Sequence, residues 1–408
     1  MFFKIAFRNL WRNRGRTLIT AGSIFFAVLF ASFMNSFQKG SWERMLDNVI
    51  NFYYGYIQIH KSGYWEDKSL DNSMKYSEAL QKLPAEIKGV SDITPRLESF
   101  ALASAGNQTS GMLIVGTDPV KENNLTKLKT KIIEGDYFSE NDDGVIIAEG
   151  VKQLLKTKVG DTLTLISQGY HGVNAAGMYK IKGIVRFTSP DLNKRMIYMD
   201  LAQAQTFFDA PGMVSTVALK LDSKNHMKSV QKALDREFPE SEYEIMNWKQ
   251  MLPDLVDAQK TDAAGNYIIL VVLYGIIAFG IFGTILMMTV ERKYEFGVQL
   301  SIGMKRKYLA FIVWLETAII GLLGSILGII GSVPLVYYFH INPINFSDYD
   351  DKMSGAFEKW GFDPIIPTAF QMDLFLYQAL IVLIITTLLA FYAVYKVMTL
   401  KPVEAMHG

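Results

Sequence analysis

Four stretches of the chain run with almost no charge. Residues 18–37 have none, 266–290 have none and 374–395 have none, while 308–339 has a single charge, Glu316. Each reaches the roughly 20 residues that a helix needs to cross a bilayer core. A helix at the surface of a soluble protein shows polar positions on its outer face, and four unbroken apolar runs do not fit that pattern. Four transmembrane helices are therefore predicted, over 18–38, 266–290, 308–339 and 374–395. Between the first two, short alternations replace the long runs. Residues 56–60 and 161–165 alternate like half-buried strands, and 112–115 and 145–148 are short β-rich runs. Residues 77–88 and 227–238 carry apolar side chains at helical spacing, limited by Pro84 and Pro239. Asp142-Asp143-Gly144 and Val159-Gly160-Asp161 mark turns. The expected fold is an α-helical membrane protein, one helix plus three, with a large α+β extracytoplasmic domain over 39–265 inserted between helices 1 and 2.

Charge fixes a direction. Averaged over 408 residues, 50% hydrophobic and 20% charged content with a net charge of +1 would suit two or three soluble domains. The charges are segregated, however. Segments 1–17, 291–307 and 396–408 carry net charges of +5, +3 and +1, whereas 39–265 carries −3 and 340–373 carries −4. Basic flanks of membrane spans stay on the cytoplasmic side. Both termini and 291–307 are expected inside, with 39–265 and the short loop 340–373 outside. The first apolar run exceeds a usual signal-peptide core, and no small-x-small site follows in 33–39, so it reads as an uncleaved anchor. With no cysteine there is no disulfide framework, and a domain of this size can bury a core without one.

Residues 1–17 form an interfacial amphipathic helix: Phe3, Phe7, Leu10 and Trp11 recur at helical spacing, with Lys4, Arg8 and Arg12 on another face. The third run carries Gly321, Gly324 and Gly328, a close-approach spacing for packed membrane helices. The second carries Gly275, Gly280 and Gly283; packing within the bundle, packing across a dimer, and the ordinary abundance of glycine in membrane helices all fit. Glu316 must face the protein interior, a partner chain or water, or be protonated. As one helix, 308–339 would span about 48 Å against a core of about 30 Å, so it must tilt, bend near Pro334 or project. Phe26, Phe30, Phe33 and Met34 on the first helix are a candidate wall for lipid or substrate; ordinary lipid-facing surface fits them as well.

Familiar catalytic patterns are missing. There is no Gly-x4-Gly-Lys-Ser/Thr loop, no Gly-x-Gly-x-x-Gly, no His-Glu-x-x-His and no Gly-x-Ser-x-Gly. The five histidines, at 60, 171, 226, 340 and 407, have no metal-ligand spacing. The near-neutral inserted domain makes nucleic acid a poor partner. The chain is expected to be non-catalytic and to need an outside energy source. Two segments then stand out. Residues 167–178, with three glycines between strand-like runs, read as a long loop, either functional or merely a surface excursion. Residues 291–309, ERKYEFGVQLSIGMKRKYL, hold seven charges and are too long and helix-compatible for a plain connection.

The opening Ala6-Phe7-Arg8-Asn9-Leu10-Trp11-Arg12-Asn13-Arg14-Gly15-Arg16-Thr17 resembles the start of ABC permeases of the MacB/FtsX superfamily. So does Glu291-Arg292 followed by Glu295-Phe296-Gly297-Val298 and Ile302-Gly303. Glu316 with Gly321, Gly324 and Gly328, and the tail Pro402-Val403-Glu404-Ala405, are similar as well. Residues 145–148 through 159–165 resemble the periplasmic core domain of that family. Within it, the length and the missing nucleotide domain look most like lipoprotein-releasing permeases of the LolC/LolE type.

The resemblance implies a multi-pass protein of the bacterial inner membrane with both termini cytoplasmic. A separate ABC ATPase dimer would bind ATP and Mg, and this chain would bind no cofactor. A second permease chain, identical or a paralogue, would complete the machine; lipoprotein, a periplasmic carrier and membrane lipids would be further partners. Residues 291–307 become a coupling helix, with Glu291, Glu295, Phe296, Gly297, Val298, Gln299, Leu300, Gly303 and Lys305 at the ATPase contact. Gln168, Gly169, Tyr170, His171, Gly172 and Val173 fall where the family's carrier-binding hairpin would lie. ATP hydrolysis would drive a periplasmic shape change, here called mechanotransmission. MacB-like export of peptides or drugs, FtsX-like regulation of a cell-wall hydrolase, and a structural membrane protein without an ATPase remain open readings.

Overall fold

The structure, a computed structural model, describes residues 2–12, 14–187, 189–346, 365–402 and 405. Asn13 of the opening motif, Val403 and Glu404 of the tail motif, and 347–364 of the loop expected over 340–373 lie outside the described residues. The chain divides into two units, Met1–Arg44 with Ala258–Asn345 and Ile365–Gly408, and Met45–Asp257 with Phe346–Pro364.

Four helices among the described residues are long and apolar enough to cross a membrane. They are Arg14–Val49, Pro253–Glu291, Arg306–Ile341 and Met372–Thr399. Each outruns its apolar stretch, because polar residues such as Lys39 and Glu43 extend the helical hydrogen bonding without adding hydropathy. The third helix has 36 residues and continues through Pro334, giving a length of about 54 Å. A Cβ on Gly324 would come within 2.7 Å of Ile24 and within 3.0 Å of the Ala21 carbonyl oxygen; one on Gly328 would come within 2.6 Å of Val28. The missing side chains let the third helix sit against the first. Gly321 faces the fourth helix, where a Cβ would lie 3.1 Å from Thr386. By contrast, Gly275, Gly280 and Gly283 meet nothing within 4 Å, so the second helix does not use them inside this chain. It is instead tied to the fourth helix by Tyr274, whose hydroxyl donates to the buried Gln378 side chain.

The N-terminal helix Phe2–Arg12 divides its apolar residues between two environments. Ala6 and Leu10 are buried in the membrane unit's core, and Phe2 stacks on Tyr308 at 5.5 Å. Phe3, Phe7 and Trp11 are exposed, as an interfacial helix requires.

The second unit is built on one mixed sheet. Its strands, in chain order, are β1 (Ile57–Lys61), β2 (Met74–Lys75), β3 (Val90–Ala105), β4 (Gln108–Thr117), β5 (Ile132–Gly135) and β6 (Gly144–Ala148). They continue with β7 (Thr162–Gln168), β8 (Asn174–Val185), β9 (Met196–Asp200), β10 (Met213–Val214), β11 (Thr216–Leu221) and β12 (Tyr243–Asn247). The sheet order is β12-β1-β11-β3-β4-β9-β6-β8-β5, with β7 bridging β3 and β8; β2 and β10 form a separate pair. Pairing is parallel between β4 and β9 and between β6 and β8, and antiparallel elsewhere. The long β3 serves both ends: residues 90–96 pair with β11 and 102–104 pair with β7. Two apolar cores result. One lies where helices Glu78–Glu86 and Met227–Glu237 press Leu80, Leu83, Val230 and Leu234 onto Ile57, Ile93 and Val217. The other gathers Ile114, Val145, Ile147, Leu163 and Ile197.

The stretch 167–178 is not a long loop. β7 and β8 pair in one unbroken register from Thr162 opposite Lys180 to Gln168 opposite Asn174. Only 169–173 are left to turn, closed by the Gly169 N–H donating to the Val173 carbonyl at 2.6 Å. Ladder hydrogen bonds need no side-chain alternation, so glycines and alanines carried the strand unseen.

His60 in β1 gives this unit a pH dependence. It is fully buried, stacked on Tyr64 with centroids 5.1 Å apart, and its Nδ1 lies 3.2 Å from the Ser215 carbonyl oxygen. Burial pushes its pKa down from 6.5 to about 3. As pH falls below 6.5 the unfolded chain takes up a proton that the folded one refuses, so stability is full above pH 6.5 and is lost progressively towards pH 3. Burial raises Glu98, which acts in the opposite sense, so the clean measure is a difference. Between pH 7 and pH 4.5 the wild-type unit should lose roughly 2–3 kcal/mol more than His60→Gln. Hydrogen-exchange protection of β1 and β11 in the full-length protein measures this, and parallel pH curves for the two proteins would contradict it.

Candidate functional site

The linking segment between the second and third membrane helices starts at a break. Arg292 leaves helical geometry with φ −89° and ψ 3°, and a new helix runs over Lys293–Ser301. Phe296 anchors it: the ring is buried in the membrane unit's core, with the Arg292 guanidinium 5.1 Å from its centroid. Leu300 packs at the edge of the same core, and Gly297 is buried. The helix ends in a Schellman turn. The Met304 N–H donates to the Gln299 carbonyl at 3.1 Å and the Gly303 N–H to that of Leu300 at 3.1 Å, with Gly303 at φ +104°. A residue with a Cβ is strained there. Val298 and Gln299 are half-buried, while Lys305 is exposed at the start of the third helix. Tyr294 and Ile302 are 61% and 81% exposed, an apolar surface that folding of this chain leaves uncovered.

Charged side chains clamp this helix in place. Arg12 of the N-terminal helix meets Glu295 at 2.5 Å, and Arg16 meets Glu291 at 2.5 Å. Both pairs are partly exposed, so each is worth about 0–1 kcal/mol. The inner pair differs in kind. Glu316 of the third helix and Arg292 are 2% and 5% exposed. Glu316 accepts from both terminal nitrogens of Arg292, with Nη2 to Oε1 at 3.3 Å, and from Asn9 Nδ2 at 2.7 Å. Arg292 Nε also lies 3.6 Å from Glu295. One buried carboxylate thus joins the N-terminal helix, the start of the linking helix and the third membrane helix.

The structure gathers Glu291, Glu295, Phe296 and Glu316 around this network. Arg292, Asn9 and Gln378 were missed as site residues. Asn9 is neutral and 307 positions from its partner in sequence, and Gln378 sits in an otherwise apolar run. For Arg292 a signal existed: a carboxylate inside an apolar span needs a cation, and the segment following the second helix opens with one.

The other candidates lie elsewhere. Phe26, Phe30 and Met34 share an exposed face, with Phe26 stacked on Phe30 at 6.1 Å. Phe33 instead packs on Phe339 of the third helix at 5.6 Å. In the second unit, residues 168–173 form the tip of the β7–β8 hairpin. That tip is held down: Tyr170 N–H donates to the Phe208 carbonyl at 2.7 Å, and His171 N–H to Asp71 at 2.8 Å. A Cβ on Gly169 would come within 2.6 Å of the Phe208 carbonyl oxygen. Val173 and Met178 stay exposed.

Residues 17–237 match the MacB-like periplasmic core domain, and residues 267–402 match the C-terminal region of FtsX-like permeases. The chain belongs to the MacB/FtsX family of membrane-spanning ABC transporter permeases. It is similar to LolE, the lipoprotein-releasing system transmembrane protein of Haemophilus influenzae, at 23% identity over 76% of this chain and 75% of that one. It is similar to LolC of the corresponding system in Neisseria meningitidis, at 19% identity over 76% of this chain and 73% of that one. The periplasmic region of MacB from Actinobacillus actinomycetemcomitans is a similar solved structure, at 14% identity and a TM-score of 0.36 over 50% of this chain and 93% of that one.

Proposed function

We propose that this chain is the membrane subunit of a mechanotransmission machine that releases lipoproteins from the inner membrane to a periplasmic carrier. A separate ATPase dimer, binding ATP and Mg, docks on the linking helix from the cytoplasm; two permease chains move together and shift their periplasmic domains. The observation that carries this is the linking helix itself. It exposes Tyr294 and Ile302 on one side and is joined on the other, through Arg292 and Glu316, to the third membrane helix. A push on its exposed face must displace that helix or break a buried ion pair. Lipoprotein as cargo is supported by the likeness to LolE and LolC.

Full-length protein purified with its bound partners should bring down an ATPase and acylated protein, identified by mass spectrometry. Recovery of a peptide or drug, or of a cell-wall hydrolase, in place of acylated protein would replace the cargo assignment. Gly297→Trp and Glu295→Lys should each weaken ATPase association at least about tenfold, as loss of an interface hot spot does. If association and ATP hydrolysis survive both substitutions, the docking surface is wrong.

A further inference from the structure

The helix Phe2–Arg12, which leads into the first membrane helix, carries three strips along its length. Ala6 and Leu10 are buried in the core of the membrane unit. Phe3, Phe7 and Trp11 recur every four residues and are 63%, 53% and 73% exposed. Lys4, Arg8 and Arg12 recur at the same interval beside them. The basic strip is divided in its partners. Arg12 meets Glu295 of the linking helix at 2.5 Å. Lys4 and Arg8 are exposed, pair with no carboxylate among the described residues, and line one open groove with Phe7 and Trp11. The sequence supplies the reason: residues 1–17 hold five cations and no acid, so the segment cannot neutralise itself.

Two surfaces therefore need one partner. A soluble anion would meet Lys4 and Arg8 and leave three large aromatic rings in water. A bilayer surface with acidic head groups meets both, and the helix stands next to a membrane span, where such a surface lies. With the rings among the acyl chains, Lys4 and Arg8 sit about 100° round the helix axis, at the level of the phosphates. The same helix reaches the linking segment on its other sides. Besides the Arg12 contact, Asn9 Nδ2 donates to Glu316 at 2.7 Å, and Glu316 holds Arg292. Fixing the aromatic strip in the bilayer stops the helix from turning about its axis and drawing Arg12 and Asn9 away. We propose that Phe2–Arg12 binds acidic phospholipid head groups and, once seated on them, steadies the linking helix. The consequence for ATPase docking rests on the function proposed above; the lipid response does not.

The test uses the full-length protein, without an ATPase, in nanodiscs of phosphatidylcholine alone or mixed with phosphatidylglycerol. The chain has no cysteine, so a single nitroxide on Phe3→Cys reports immersion of the helix. Phosphatidylglycerol should raise the ratio of immersed to free helix. In K4Q/R8Q that ratio should fall by on the order of 25-fold, about fivefold for each charge lost near the membrane surface. In phosphatidylcholine the two proteins should agree, and K4R/R8K should behave as the wild type, which separates charge from any fault in folding. Hydrogen-exchange protection of residues 293–301 should rise with phosphatidylglycerol in the wild type and not in K4Q/R8Q. Asn9→Leu with Glu295→Ala should immerse normally yet lose that rise. Equal immersion of wild type and K4Q/R8Q in phosphatidylglycerol overturns the lipid assignment. Equal immersion of the wild type in phosphatidylcholine supplied with inorganic phosphate overturns it in favour of a soluble anion. Immersion without any change in protection overturns the link to the linking helix. Neither readout involves the ATPase or a lipoprotein, so failure here leaves their assignments standing, and their failure leaves this one standing.

Discussion

Replacing Arg292 with methionine is expected to destabilise the membrane unit by about 3–5 kcal/mol and, on the function proposed above, to uncouple it from its ATPase. The figure follows from what is left behind. Glu316 is 2% exposed, and without Arg292 it keeps one hydrogen bond, from Asn9 at 2.7 Å. A buried ion pair adds little over a well-packed apolar pair, but removing one partner strands a charge away from water. The carboxylate must then draw in water or shift its helix. Two further substitutions sort these outcomes. Glu316→Gln keeps an acceptor for Asn9 and Arg292 and should be milder. Arg292→Met combined with Glu316→Met should regain most of the lost stability, because no charge remains buried. It should not regain coupling, because the linking helix is no longer tied to the third. Thermal unfolding in detergent supplies the first readout, and ATP-dependent change in the assembled complex supplies the second. An Arg292→Met protein as stable as the wild type would show that Glu316 has another partner or reaches water. A double variant that couples normally would show that the push travels by another route, such as Phe296 in the core.

The same contrast explains what could be read from sequence. The four apolar runs located the membrane helices because hydropathy summed over 20 residues is a strong signal. Their ends were not legible: Lys39, Glu43 and Asp254 sit in helices whose polar turns look like loop. Gly324 and Gly328 announced a close approach by spacing alone, whereas Gly275, Gly280 and Gly283 carried a similar pattern and contact nothing in this chain. Glycine spacing therefore indicates where a helix can be approached, while the partner depends on tertiary packing. In the inserted domain, β-rich runs found β6 and part of β4, and alternation found β1 and the start of β7. It missed β3, whose residues 93–98 are buried on both faces and have no period of two. The polar networks were least legible. Glu316 stood out as the single charge of its span and Arg292 lay within its reach as a cation, but Asn9 is ordinary for its segment, and only the fold makes the three one cluster.

Arg96 on β3 poses the strongest test of the inserted domain, where Arg96→Met should remove about 3–5 kcal/mol. Both Arg96 and Glu122 have fully buried side chains. They form a two-pronged pair, Nε to Oε2 and Nη2 to Oε1, each at 2.8 Å. Nη1 donates to the Tyr53 carbonyl at 2.6 Å, and the guanidinium lies 4.6 Å from the Tyr53 ring centroid. Burial opposes the charge on Arg96, but the Glu122 carboxylate overrides it and pushes the pKa above its ordinary value. The pair binds three elements: β3, the helix Pro119–Thr126 and the segment around Tyr53. Methionine fills the volume but leaves Glu122 with the Thr117 hydroxyl at 3.1 Å and no cation. Against a total stability of 5–15 kcal/mol for a typical domain, that loss is large. Arg96→Lys should recover only part, because one ammonium cannot match the fork of the carboxylate. Arg96→Met with Glu122→Leu should recover more than lysine does, since it removes both charges. Hydrogen-exchange protection of β3 and of residues 119–126 in the full-length protein reads the effect locally, while the unfolding of the membrane unit should not move. An Arg96→Met protein within 1 kcal/mol of wild type would mean that water reaches Glu122. A lysine variant as stable as wild type would mean that charge alone, rather than the paired geometry, holds the three elements together.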